Sequence, residues 1–164
     1  MKTLFIFLTA ILTSVTYTPE NLIVDNSNNC SSELRVEKDR NFKSADEDGT
    51  SYKLILKNLS SASQTYALST NYLSKPCSNT RSDSGQNANQ YNVELNVSMA
   101  FNRGNDQITL QPGQSEQFTI NISVPEGTPY NSWSCINVEA KSDKCDSGSS
   151  STILSVYIPN PSEG

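Results

Sequence analysis

Histidine is missing from all 164 residues, and with it goes the commonest general base and metal-ligating side chain of proteins. A Ser-His-Asp or Cys-His nucleophile cannot be assembled, and no serine sits in the elbow context that would activate it for a Ser-Lys dyad. The chain also lacks a basic cluster: 12 Lys and Arg face 17 Asp and Glu, for a net charge of −5, so no phosphate-tracking surface and no nucleic-acid partner are expected. Long windows with a 3.6-residue apolar period are missing too, while Asn, Ser and Thr, poor formers of helix interiors, are abundant. These absences point away from enzymes, nucleic-acid binders and helical folds, and the expectation is a non-catalytic protein that needs no cofactor.

Apolar residues run on only once, from Leu4 to Val15, behind the positive Lys2. That is the length of a signal-peptide core and too short to span a membrane. Residues 1–18 therefore read as an export signal, with small residues around Ser14 and Thr16 suiting cleavage. No cysteine follows at a lipobox position, so neither a lipid anchor nor membrane insertion is expected. Roughly 145 residues remain, the size of one domain, in a protein expected to be secreted, periplasmic or held at the cell surface.

All four cysteines, Cys30, Cys77, Cys135 and Cys145, follow the signal, and an even count in an exported chain argues for disulfides. Their spacing does not fit paired zinc knuckles. Three pairings are open. The short polar turn between Cys135 and Cys145 favours joining those two, which leaves Cys30 for Cys77.

Beyond a polar arm at residues 19–32, period-two alternation takes over. Leu34 and Val36 share one side, as do Tyr52, Leu54 and Leu56, then Tyr66, Leu68, Thr70 and Tyr72. In "YNVELNVSMAF" the residues Val93, Leu95, Val97, Met99 and Phe101 face one way and Glu94, Asn96, Ser98 and Ala100 the other. A short strand over Ile108–Leu110 leads to Pro112-Gly113, which fits the centre of a type II turn. Phe118, Ile120, Ile122 and Val124 then alternate inward, followed by Ile136, Val138 and Ala140, and finally by Leu154, Val156 and Ile158. About seven strands parted by turn clusters predict an all-β, antiparallel sandwich over residues 33–159, with a short tail at 160–164. The longest loops, Lys75–Gln90 and Lys141–Ser151, carry one cysteine each.

The stretches "DEDGTSYKLILKNLSSASQTYALS", "ITLQPGQSEQFTINISVPEGTPYNSW" and "INVEAKSD" resemble the immunoglobulin-like, fibronectin type III-like domains of bacterial and archaeal secreted and surface proteins, including those beside glycosidases and in adhesion. The resemblance covers Glu33–Pro159. It implies a strand ending in Asn58, a turn at Pro112-Gly113, and an aromatic opening the strand after residue 130. It implies a fold far more than a function. The four cysteines, the Lys75–Gln90 loop and the arm are departures from the family pattern. A smaller resemblance joins "LSVYIPNPSEG" to the opening of type IX secretion sorting domains, although an isoleucine interrupts the usual "VYPNP".

Candidate contacts follow from exposed chemistry. Tyr130 and Trp133, close together before the strand at Cys135, are candidates for stacking on a glycan or a protein partner. By alternation Cys135 faces outward and Trp133 with it. Asp46-Glu47-Asp48-Gly49 offers oxygen-rich ligands of the kind calcium selects, without the EF-hand spacing. Sequons at Asn29, Asn58, Asn96 and Asn121 are candidate glycan acceptors. Leu22, Ile23 and Val24 form a candidate assembly arm that could add to an open sheet edge of another copy. The expectation is an exported binding or structural module, an accessory subunit whose partner is an envelope or extracellular protein. The alternatives are a self-assembling filament or adhesin subunit and a carbohydrate-binding module.

Overall fold

In a computed structural model, residues 30–73, 93–101, 107–144 and 149–163 are described, and they form nine strands and two short 3-10 turns. The strands are β1 Ser32–Val36, β2 Phe42–Ser44, β3 Thr50–Asn58, β4 Gln64–Tyr72, β5 Asn96–Ala100, β6 Gln107–Leu110, β7 Ser115–Ser123, β8 Ser132–Ser142 and β9 Ser149–Ile158. A four-stranded sheet in the order β1-β3-β7-β5 packs on a five-stranded sheet in the order β2-β9-β8-β4-β6. Every pairing is antiparallel except β2 with β9.

The alternation places the core where period-two reading puts it. Tyr52, Leu54 and Leu56 of β3 and Phe118, Ile120 and Ile122 of β7 meet Tyr66 and Leu68 of β4, Ile136, Val138 and Ala140 of β8 and Leu154, Val156 and Ile158 of β9. Each fully buried aliphatic side chain contributes about 1.5–3 kcal/mol from lost apolar exposure, before the entropy of ordering it is subtracted. Tyr52 adds a polar tie across the sandwich, since its hydroxyl donates to the Ser155 carbonyl oxygen of the other sheet at 2.8 Å.

Two connections cross between the sheets at one end, and Asn58 joins them. Its Nδ2 donates to the Ala62 carbonyl at 2.8 Å and to that of Leu110 at 3.0 Å. Its Oδ1 accepts from the Ser60 backbone at 2.9 Å, from Ser60 Oγ at 2.6 Å and from the Tyr66 hydroxyl at 3.1 Å. The Pro112-Gly113 turn takes its expected form, with Gly113 at φ 75° and the Gln114 amide bonded to the Gln111 carbonyl at 3.0 Å. It links β6 to β7 across the layers rather than closing a hairpin.

Three expectations change. Of the strand read over residues 91–101, the described part from Val93 onward is regular over Asn96–Ala100, where β7 supplies partners from Ala100↔Thr119 to Asn96↔Ser123 before that strand ends. Nine strands replace about seven. Strand β2, too short and polar to register as a pattern, pairs in parallel with β9. The export segment, the Leu22, Ile23 and Val24 arm and Asn29 lie outside the described residues.

Candidate functional site

The candidate residues gather at the end of the sandwich opposite Asn58. Here β2 runs out, β9 finishes at Ile158, and the connection from β7 to β8 arrives. Tyr157 accepts the Ala45 amide on its carbonyl at 2.8 Å, and the Asn131 amide bonds to the Ile158 carbonyl at 2.8 Å. Asn131 adopts φ 55°, a left-handed conformation that asparagine tolerates, and its Oδ1 accepts the Tyr157 hydroxyl at 2.8 Å. These bonds fix where β8 starts and hence where the aromatic side chains point.

Trp133 opens β8 on the outward side of the five-stranded sheet, as alternation predicts, directly across from Tyr157. Its ring lies 5.0 Å from that of Tyr157 and 5.3 Å from that of Phe42, tilted by 42° and 39°. Tilted contacts at these separations are attractive in themselves, about 0.5–1.5 kcal/mol per pair. Trp133 is thus held between two rings, while Phe42 at the row's edge stays exposed.

Tyr130 stands apart from this row. It is 52% exposed and lines a cleft of about 900 Å³ at the end of the sandwich. The other walls come from three places in the chain: the Asp46–Asp48 turn, the Val124–Thr128 connection, and Ile158, Pro159 and Pro161. Four carboxylates, those of Asp46, Glu47, Asp48 and Glu126, rim it. The structure therefore divides the predicted pair: Tyr130 faces the cleft and Trp133 the outer sheet face.

The Asp46–Gly49 segment is a tight turn. Asp46 and Gly49 form an isolated bridge, the Asp48 amide donates to Asp46 Oδ1 at 3.1 Å, and Gly49 takes φ 79°. Among the described residues no group of three or more acidic or cysteine side chains is gathered so as to hold a metal ion.

The sequons separate by burial. Asn58 is 0% exposed and its amide donates to two backbone carbonyls. Asn96 and Asn121 are exposed on adjacent strands, each across from the serine of the other's sequon, Asn96↔Ser123 and Ser98↔Asn121. Among the cysteines, Cys30 and Cys135 are not free thiols. Cys77 and Cys145 lie outside the described residues.

Sequence reasoning missed Phe42, Glu126 and the Pro159–Pro161 wall. The Pro125–Thr128 turn, closed by the Thr128 amide on the Pro125 carbonyl at 3.1 Å, carried a signal in its Pro-Glu-Gly run, but nothing in that run shows what it will face.

The fold is similar to part of a family 123 glycoside hydrolase from Clostridium perfringens, at 11% identity and TM-score 0.51, over 79% of this chain and 28% of that one. Lower similarities are to the secreted serine protease VesC from Vibrio cholerae (13% identity, TM-score 0.45, 80% of this chain and 24% of that one) and to the E. coli chaperone DraB (12%, 0.45, 80% and 55%). The chain thus spans little more than half of these structures at most, and far less of the two hydrolases. No curated protein matches the sequence. The sequence model of the Fn3-like domain family matches residues 40–156, most of the chain, and the protein belongs to that family.

Proposed function

We propose that the protein is an exported, non-catalytic binding module that acts as an accessory subunit of an envelope or extracellular protein complex, and that it engages its partner through the cleft end of the sandwich. The supporting observation is the exposed ring of Tyr130 in a cleft rimmed by Asp46, Glu47, Asp48 and Glu126. Exposed aromatics act as anchors in protein interfaces, and a one-sign rim steers and orients a partner of opposite charge. The rigid sheets fix these loops in place, which lowers the entropy lost on binding. The partner surface this end fits is basic, with an apolar depression. A typical Fn3-like module does no chemistry, which agrees with a chain that has no histidine.

The test is affinity capture of the tagged full chain from its own cells, read by mass spectrometry and light scattering. A stoichiometric foreign envelope protein, lost with Tyr130→Ala and weakened by Glu126→Lys, is the expected outcome. A homopolymer would replace the reading with self-assembly.

A second reading rests on Tyr130 alone. An exposed ring beside carboxylate acceptors is also how a sugar is held, and glycan-array binding that disappears in Tyr130→Ala but persists in Phe42→Ser would favour a carbohydrate-binding module.

A further inference from the structure

We propose that Asn121 is a glycan acceptor, with an amide-linked saccharide on its Nδ2 whose first sugar is seated in a recess on the outer face of the four-stranded sheet. The proposal rests on the export reading above and adds a covalent modification to it.

Strand β7 carries the sequon as Asn121-Ile122-Ser123. Successive strand residues point to opposite faces, so Asn121 and Ser123 share one face and Ile122 takes the other. Ile122 is buried in the core, while Asn121 and Ser123 are exposed. The acceptor amide and the hydroxyl that a transferase reads with it therefore stand side by side in solvent. A slip that turned them inward would expose Ile122, which holds the register in place.

The neighbours leave room. In the register Asn121 lies between Ser51 of β3 and Ser98 of β5. Ser123 lies across from Asn96, and its Cα is 3.1 Å from where a Cβ on Gly49 would stand. Small side chains thus floor this corner of the sheet. Further along the same face β3 presents Lys53, Ile55 and Lys57 instead. The small residues border an open recess of about 360 Å³, with Asp48, Thr50, Ser51, Ser98, Asn121 and Ser123 on its walls. That volume is in the range of small-ligand sites, about 300–1,000 Å³. The wall hydroxyls and the Asp48 carboxylate are partners for sugar hydroxyls.

Bonding and place separate Asn121 from the other described sequons. Asn58 spends its amide on the Ala62 and Leu110 carbonyls, whereas the Asn121 amide has no such partner among the described residues. Asn96 stands on β5, the edge strand of its sheet, and is not on the wall of the recess.

The transfer takes a glycosyl phosphate donor and a transferase of the export compartment. Nδ2 of Asn121 bonds to C1 of the sugar. The C1–O bond to the donor phosphate breaks with its electron pair leaving on that oxygen, and the Nδ2 proton passes to a base of the transferase.

Asp48 lines both the recess and the cleft. A sugar on Asn121 therefore borders the contact end from the side of the four-stranded sheet. It also lies beside edge strand β5, where bulk opposes pairing with another chain.

Trypsin cuts after Arg103 and Lys141, so Asn121 falls on peptide 104–141, which holds no other Asn-X-Ser/Thr site. The experiment takes the full chain from the exported fraction of its own cells, reduces, alkylates and digests it, and reads the peptides by mass spectrometry with detection of sugar fragments. Peptide 104–141 is expected to carry a saccharide that is lost in Asn121→Gln and in Ser123→Ala and retained in Ser123→Thr. Recovery of that peptide only at its bare mass overturns the proposal, whatever the Asn96 peptide carries, and leaves the binding-module reading to partner capture. A saccharide that persists in Asn121→Gln is attached elsewhere and equally overturns it. Absence of the chain from the exported fraction overturns the export reading and the proposal with it.

Discussion

Two buried polar side chains hold more of this sandwich than their number implies. Asn58 satisfies five bonds at a site with no access to water, and Asn58→Ala removes the side-chain partner of the Leu110 carbonyl, the Ser60 amide and the Tyr66 hydroxyl, while the Ala62 carbonyl keeps the Ser60 hydroxyl at 2.8 Å. The expected loss is at least ~3 kcal/mol, since each unsatisfied buried group costs about 1–3 kcal/mol, and urea unfolding followed by circular dichroism measures it. Tyr52 behaves differently, because its phenol titrates. Burial raises its pKa well above the ordinary value of 10, opposed by a smaller effect of a backbone hydrogen bond. A phenol whose folded-state pKa is raised contributes stability that is fully present below pH about 10 and declines as the pH climbs above it, because the unfolded chain then gives up the proton first. The urea midpoint should therefore hold steady from pH 7 to 9 and fall above 10. Tyr52→Phe should cost about 1 kcal/mol near neutrality and make the alkaline fall shallower, and an unchanged alkaline slope would remove Tyr52 from the explanation.

At the level of strands and turns, the sequence is most readable where a partner strand continues alongside. The alternation in β3, β7, β8 and β9 assigns inward and outward faces correctly because each has one neighbour that runs along nearly its whole length, β3 with β7 and β8 with β9. It over-extends at Val93–Leu95, where the apolar rhythm continues but β7 has already turned away before Pro125, whose nitrogen has no proton to donate. It misses β2 because Phe42–Ser44 pairs through backbone with a strand more than a hundred residues later, and three residues carry no period. The turn before β3 makes a sharp prediction. A Cβ on Gly49 would sit 2.2 Å from the Ile122 carbonyl oxygen, at a φ of +79°. Gly49→Ala should then destabilise by more than ~2 kcal/mol, the backbone strain alone being about 1–3 kcal/mol, whereas Gly113→Ala, with nothing within 4 Å of the new atom, should lose less. The melting temperatures of the two variants compare them directly. On the aromatic row, Trp133→Ala removes both ring contacts at once and should cost about 1–3 kcal/mol, with Phe42 more exposed as a result.

For the whole molecule, fold and site differ in how they are written into the chain. The sandwich is a local message repeated in every strand but β2, so Tyr130, Trp133 and the acidic turn could each be singled out in sequence. The cleft is a long-range product: residues 46–48, 124–130 and 158–161 meet only after the sheets have packed, and no stretch of sequence announces the meeting. If the cleft end is the contact surface, binding should weaken as salt rises, because exposed carboxylates are screened beyond about 8 Å at physiological ionic strength. The most direct measurement captures the partner with four forms of the tagged chain side by side: wild type, Tyr130→Ala, Glu47→Lys with Glu126→Lys, and a control on the opposite sheet, Lys53→Ala with Lys57→Ala. The account predicts that the two cleft-end variants lose the partner while remaining folded and the control keeps it. Equal capture by all four, or loss confined to the control, would contradict it.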